Sequence, residues 1–360
     1  MKENIKAVSL QTITQKADIP LNVTIELLTR CSLKCTHCYI PERVSEGLDD
    51  AVVARLLREL RELGALYLNL TGGEIFLRKN IMGTVRDARS LGFSVNLLSN
   101  ATLINESIAK ELADLHISSF GTTIFSLNHE VHEAITGVKG SLRKALDNVA
   151  LLKKHGIAVE IKTPILKTNR HDFREVGGFC AENGFDFNPC PTISSKMNGD
   201  TSVRDLRMDD DGMDDAIALI LASSNPEAEA LLEKVRQDES ICPSLKNTIF
   251  IDASGEVFPC ISFRHKLGDV FSSDLKTIWY DSPERKYLLS LKKSDLQQCS
   301  TCGLKEKCVH CPGHALLEDG SPLACSSDSK RTAESEYRVM RKGGTTGEGT
   351  KFKTRADRCL

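Results

Sequence analysis

The feature that most limits how this chain can fold is the alternation, from residue 23 to residue 188, of short apolar runs with longer stretches whose apolar residues fall at helical spacing. Residues 23–28, 67–70, 94–98, 118–127, 159–165 and 185–188 read as strands. Residues 49–63, 81–91, 104–115, 141–154 and 172–182 read as the helices between them, with Gly64, Gly92, Gly156 and Gly184 placed to stop four of these. Six strands, five of them followed by a clear helix and the sixth by an uncertain one, with short connections call for parallel strands joined by right-handed crossovers, either a barrel or a doubly wound sheet. In both, ligands bind beyond the carboxyl ends of the strands. The residues that follow each strand therefore carry the functional reading.

At 360 residues the chain is long enough for one large α/β domain with an appendage, or for two domains. A net charge of −2 gives no basic footprint, which argues against nucleic acid as the main partner. No apolar stretch approaches the length of a membrane span, and the opening residues lack the apolar core of an export signal. A cytoplasmic protein with no membrane partner is expected. Thirteen cysteines in such a chain read as metal ligands in a reducing compartment. They cluster: Cys31, Cys35 and Cys38 form one group, and Cys242, Cys260, Cys299, Cys302, Cys308, Cys311 and Cys325 another. Cys180, Cys190 and Cys359 are scattered, Cys180 expected in the core and Cys359 as a thiol without function.

The loop after the first strand places Cys31, Cys35 and Cys38 within eight residues, tight enough to bring three thiolates onto one soft metal centre. Three is one short of the usual four, which leaves one metal position for a small molecule. A zinc loop or three buried thiols are the alternatives that these residues alone leave open. After the second strand comes Thr71-Gly72-Gly73-Glu74. Two glycines let a backbone approach a ligand closely, and a carboxylate beside them can accept hydrogen bonds from an ammonium group.

Together, Cys-x3-Cys-x2-Cys and Gly-Gly-Glu one strand later resemble the radical S-adenosylmethionine (radical SAM) superfamily. The resemblance implies a four-iron cluster on Cys31, Cys35 and Cys38 whose open iron chelates S-adenosylmethionine. One electron then cleaves the sulfonium to a 5′-deoxyadenosyl radical. His37 occupies the aromatic position before the third cysteine, and Thr71, Gly72, Gly73 and Glu74 are implied to bind the methionyl amine. Ser99-Asn100-Ala101-Thr102 is similar to a Thr-Asn-Gly-Thr turn near the ribose, with Ala101 where glycine is usual. Ser126 is implied to contact the methionyl carboxylate; Asn128 stands where the family carries an acid, and His132 follows. Leu166, after the fifth strand, is implied to lie against adenine, with ordinary core packing as the alternative.

Residues 191–241 break the alternation and read as a loop and linker helices, from an acidic start at residues 209–215 to about residue 223 and over 226–236. The second cysteine group resembles the seven-cysteine SPASM extension of radical SAM enzymes, with the gap between Cys308 and Cys311 shorter by one than usual. A zinc ribbon would be the reading of residues 299–311 alone. Residues 248–252 and 256–258 flank Ala253-Ser254-Gly255 as a hairpin. The family's crossing pattern implies that Cys299, Cys302, Cys308 and Cys325 hold one auxiliary cluster and Cys242, Cys260 and Cys311 another, three 4Fe-4S clusters in all. The last set lacks a fourth thiolate, with Asp252 or Cys190 as candidate substitutes.

The expected architecture is a partial (β/α)6 TIM-type barrel over residues 21–190, linker helices over 191–241 and a cluster domain over 242–330. An N-terminal extension over 1–20, with room for one short edge strand, and a partly disordered tail over 331–360 flank them. By resemblance, the expected activity is modification, by oxidation or cross-linking, of a ribosomally made peptide. A separate leader-peptide-recognition protein and a reductant such as flavodoxin or ferredoxin are the expected partners. Sulfatase maturation, cofactor or haem biosynthesis, and a non-catalytic iron–sulfur or zinc protein are the alternatives.

Overall fold

The computed structural model describes residues 10–224 and 226–342. Cys359 and the end of the tail lie outside them. Six parallel strands form the barrel wall: β1 (Asn22–Glu26), β2 (Tyr67–Thr71), β3 (Ser94–Leu98), β4 (Ser119–Thr123), β5 (Val159–Pro164) and β6 (Asp186–Cys190). They pair in chain order. In chain order the helices are α1 (Leu10–Lys16), then α2 (Asp50–Glu62), α3 (Ile81–Ser90), α4 (Glu106–Asp114), α5 (His129–Thr136), α6 (Ser141–Lys154) and α7 (Phe173–Asn183) around the wall. Beyond β6 come α8 (Asp210–Ser223), α9 (Pro226–Gln237), α10 (Leu275–Asp281), α11 (Pro283–Ser290), α12 (Gln297–Ser300), α13 (Pro312–Asp319) and α14 (Ser327–Arg341).

Alternate residues of each strand point to opposite faces. One face carries Val23, Ile25, Leu68, Leu70, Val95, Leu97, Phe120 and Ile161, all buried against Leu56, Leu60, Val85, Leu112, Val149 and Leu152 of the surrounding helices. The other face is polar and lines the interior. There Asn69 Nδ2 donates to Thr24 Oγ1 at 3.3 Å, Asn96 Nδ2 to Asn69 Oδ1 at 2.9 Å, and Ser119 Oγ to Asn96 Oδ1. Asn188 Nδ2 donates to Glu160 Oε1 at 3.0 Å across β5 and β6. The apolar face supplies the hydrophobic stabilisation. The polar face leaves a lined interior for ligands.

Four features depart from the sequence expectations. The hairpin of β7 (Thr248–Ile251) and β8 (Glu256–Phe258) does not stand in a separate layer. β7 pairs parallel with β1, and β9 (Gly268–Asp269) follows β8, so one nine-stranded sheet runs β6-β5-β4-β3-β2-β1-β7-β8-β9. With β2 and β7 on its two sides, β1 leaves no edge for an N-terminal strand. Residues 10–16 instead form α1, where Thr14 Oγ1 donates back to Leu10 O at 3.0 Å. The strand expected over 118–127 ends at Thr123 and is followed by α5, whose N-cap is Asn128, its side chain accepting from Glu130 N at 2.9 Å. Finally, α14 passes through the boundary expected at residue 330, because it packs on α8: Ser335 Oγ donates to Asp214 Oδ1 and Arg338 Nη2 pairs with it, each at 2.8 Å. Among the described residues no helix is long and apolar enough to cross a membrane.

Candidate active site

The cysteine loop leaves β1 and is tied down by its neighbours. Lys34 N donates to Thr136 O at 2.8 Å and Thr36 N to Ile135 O at 3.0 Å, so the carboxyl end of α5 accepts the loop's backbone. Arg43 Nη1 reaches Cys35 O at 3.4 Å. Cys31, Cys35 and Cys38 are free and half-buried. Burial pushes Cys35 up to about 12, and the charges of Cys38 and Cys31 push in the same direction. Cys31 and Cys38 are also raised, chiefly by burial. Only a bound cation would make all three thiolates together.

Gly72 and Gly73 press against the entry to that loop. A Cβ on Gly73 would lie 2.3 Å from both Thr29 O and Arg30 O, and one on Gly72 would lie 2.5 Å from Leu28 O. This turn has room for backbone alone, the property a close ligand approach requires. The Glu74 side chain, however, faces inward. Fully buried, it accepts from Phe76 N at 3.0 Å, from Ser99 Oγ at 2.8 Å and from Asn100 N at 2.9 Å. Its acceptor sites are spent on the turn after β3, so this carboxylate positions Ser99 and Asn100. Asn100 Nδ2 in turn donates to Ser32 Oγ at 3.0 Å, closing a link from β2 through β3 to the cysteine loop.

Ala101 has φ 62°, the left-handed conformation that glycine takes without cost. Ser126 is fully buried, and its Oγ accepts from Asn128 N at 2.9 Å. Leu166 lies in a small apolar cluster with Phe125, Ile135, Ile193 and Val203. His37 stacks edge-on to Phe125 at 4.9 Å, its Nδ1 buried without a partner among the described residues. Burial lowers His37 to about 4, so the ring is neutral near pH 7. His132 is likewise lowered to about 4 by burial, and its Nδ1 accepts from Phe125 N at 3.3 Å.

The C-terminal cysteines form two neighbourhoods. Burial raises Cys260, and so do the charges of Cys242 and Cys311 beside it. Cys311 is pushed up to about 12 by burial, with Cys242 adding to it. In the second neighbourhood burial takes Cys308 up to about 12, helped by Cys299, Cys325 and Cys302. Cys242, Cys260 and Cys311 are thus near enough to act on one another electrostatically, and so are Cys299, Cys302, Cys308 and Cys325. Among the described residues no three His, Cys, Asp or Glu side chains are drawn together as ligands of a single metal ion; the three cysteine sets are joined by proximity of charge. Asp252, one candidate for a fourth ligand, is committed elsewhere. Its Oδ1 accepts from Ser254 N and Glu256 N, both at 3.0 Å, and its Oδ2 pairs with Arg264 at 2.7 Å. Cys190 is buried at the end of β6, its Sγ 3.6 Å from Asn188 O.

Residues 25–180 match the family model of the radical SAM superfamily, and residues 242–303 that of an iron-sulfur cluster-binding domain, SPASM. These domains imply S-adenosylmethionine and iron–sulfur clusters as the bound groups. Free cysteines in three sets and a turn that only glycine fits agree with them. The antilisterial bacteriocin subtilosin biosynthesis protein AlbA of Bacillus subtilis (strain 168) is 26% identical over 300 residues, 81% of this chain and 65% of that protein. The chain therefore spans just under two thirds of that relative. The AdoMet-dependent heme synthase of Methanosarcina barkeri (strain Fusaro / DSM 804) is 22% identical over 330 residues, 84% of this chain and 94% of that protein. Among solved structures, Streptococcus suis SuiB bound to precursor peptide SuiA superposes with a TM-score of 0.68 at 20% identity, covering 89% of this chain and 78% of that one. At that identity the likeness speaks for the fold.

Proposed function

We propose, for a chain that joins a radical SAM domain to a SPASM domain, that it reductively cleaves S-adenosylmethionine and uses the resulting radical to oxidise or cross-link a ribosomally synthesised peptide. The observation that carries this reading is the contact of three strand ends at one mouth. The cysteine loop after β1, the Gly72–Gly73 turn after β2 and Asn100 after β3 touch one another there. The names of the similar proteins, a bacteriocin biosynthesis protein and an enzyme bound to a precursor peptide, support a peptide as substrate.

When bound, the cluster supplies an electron and S-adenosylmethionine the sulfonium from which the 5′-deoxyadenosyl radical comes. Cys31, Cys35 and Cys38 would hold the cluster, and the turn of Thr71, Gly72, Gly73 and Glu74 would meet the methionyl amine. Glu74 fixes Ser99 and Asn100, which would lie near the ribose; Ser126 would face the methionyl carboxylate, Leu166 would border the adenine, and His37, edge-on to Phe125, would pack near the cofactor. Two further four-iron clusters would be held by the C-terminal sets, three in all: one by Cys299, Cys302, Cys308 and Cys325, the other by Cys242, Cys260 and Cys311. The last has three thiolates, leaving a position for a cysteine thiolate of the substrate. The protein works in the cytoplasm with flavodoxin or ferredoxin as reductant and a separate protein that recognises the leader peptide.

Anaerobically reconstituted protein given S-adenosylmethionine and dithionite is expected to form 5′-deoxyadenosine and to carry about twelve irons. No 5′-deoxyadenosine overturns the reading, and stoichiometric zinc at residues 299–325 with only about four irons supports a zinc ribbon there instead. A second reading, haem or other cofactor biosynthesis, is favoured by the match over 94% of the heme synthase. Conversion of a tetrapyrrole precursor under the same conditions would select it.

A further inference from the structure

Where the C-terminal hairpin joins the barrel, two buried polar groups of opposite hydrogen-bonding sense are left open. β1 ends at Glu26, and the pairing of Ile25 with Ile251 brings the turn of the β7–β8 hairpin alongside it. Glu26 shares the interior face with Thr24, two residues earlier, and is only 2% exposed. Its Oε2 accepts from Ala253 N at 3.3 Å, while its Oε1 finds no partner among the described residues. Arg264 is close enough for its charge to act on Glu26. Its Nη2 donates to Asp252 Oδ2 at 2.7 Å, and its guanidinium lies 3.6 Å from the centre of the Phe258 ring. Its Nη1 is buried and also without a partner among the described residues.

A buried acceptor and a buried donor that do not satisfy each other call for a third group that serves both. That group should be neutral, because Asp252 already balances Arg264. It must donate on one side and accept on the other, and a flat group suits the ring of Phe258. A backbone peptide group meets these conditions. The place is also right: the adjacent residues Asp252 and Ala253 of the hairpin turn hold Arg264 and Glu26, at the end of the strand from which the first cysteine loop leaves.

We propose that Glu26 Oε1 and Arg264 Nη1 bind one peptide group of the substrate, the carboxylate accepting from its N–H and the guanidinium donating to its carbonyl oxygen. This rests on the reading of the chain as a peptide-modifying enzyme. It sets the direction of the peptide across the mouth without reading any side chain.

The test offers reconstituted full-chain protein N-acetylalanine N-methylamide, with methyl 2-acetoxypropanoate, in which oxygen replaces both N–H groups, as control. Binding is followed by saturation-transfer NMR. The amide is expected to bind at least fivefold more tightly than the ester. Glu26→Met and Arg264→Met should each lose that preference, the double variant should lose no more than either alone, and Glu26→Gln, which keeps an acceptor, should retain it. Circular dichroism reports whether each variant is folded. Crystals of the wild-type protein soaked with the amide give a second measure that needs no variant. A water bridging Glu26 Oε1 and Arg264 Nη1 in those crystals, or equal binding of amide and ester, overturns the site. Wild-type protein that prefers the amide yet forms no 5′-deoxyadenosine overturns the enzymatic reading alone.

Discussion

The loop of Cys31, Cys35 and Cys38 and the stretch 297–311 both gather cysteines, but their backbones are held in different ways. The first is fastened from outside: α5 accepts from Lys34 and Thr36, Ser45 O accepts from Thr29 N and Arg30 N at 3.1 Å each, and Gly73 N donates to Leu28 O at 2.9 Å. In the second every residue from 297 to 311 keeps some exposure, and most backbone bonds are local, such as Cys302 N to Cys299 O at 3.2 Å and Cys308 N to Leu304 O at 2.9 Å, with Cys311 N to Ser329 Oγ at 3.1 Å as a tie to α14. A loop already positioned by a folded scaffold can lose its metal and keep its shape. A stretch with so few ties to the rest of the fold takes more of its order from the metal it binds. The two regions would then answer the same insult differently.

The largest effect expected is on the first region. Replacing Cys31, Cys35 and Cys38 by alanine should lower 5′-deoxyadenosine formation at least about a thousandfold, equivalent to some 4 kcal/mol. The thermal midpoint should move by no more than a few degrees, and collapse of the barrel would break the contrast. Removing iron from the wild-type protein with a chelator should raise amide exchange across residues 297–325 by about a hundredfold or more. The strands β1 to β6 should stay protected, and equal exchange in both regions would erase the difference.

Glycine swaps sharpen it. Gly73→Ala puts a Cβ 2.3 Å from two backbone carbonyl oxygens, whereas one on Gly303 would meet nothing within 4 Å. The first should cost about 3 kcal/mol in urea unfolding and the second less than about 0.5.

The junction titrates. Burial, with Asp252 adding to it, raises Glu26 from 4.5 to about 7. A carboxyl raised on folding stabilises the native state fully below pH 4.5 and loses that contribution as pH climbs towards 7. Glu26→Gln should therefore gain on the wild-type protein between pH 4.5 and 8, on the order of 2 kcal/mol by denaturant titration, with no such gain at lower pH. The smallest effect belongs to Ala101→Gly. It relieves a left-handed alanine beside the first cysteine loop and should change stability by about 0.5 kcal/mol at most, favourably. A clear loss there would mean that the turn is not strained.

The barrel was legible because its information is local. Helical and strand periodicity run from residue 23 to 188, and each predicted strand is fixed by residues next to it in the chain. What escaped is non-local or ambiguous. Nothing in Thr248–Ile251 says that its neighbour is β1, since a four-residue apolar run fits any sheet edge. The helix α5 hid behind Asn128, which was read for its place in a motif and serves as an N-cap. The bonds that Glu74 accepts from Ser99 and Asn100 escaped because the sequence shows a carboxylate beside two glycines but not the direction of its side chain. The partners of Glu26 and Arg264 lie on segments far apart in the chain, and no spacing rule connects them.

The central place of β1 has a consequence for how the molecule comes off the ribosome. Asn22 pairs on one side with Tyr67 and on the other with Thr248, more than two hundred residues later. At ordinary synthesis rates that interval lasts roughly ten to forty seconds. During it the strand that launches the cysteine loop has one row of unpaired backbone groups. Such late, long-range pairing slows folding and invites association with other nascent chains. The cell has a brief interval in which that flank of the first cysteine loop lacks its final neighbour, and β7 ends it when it docks.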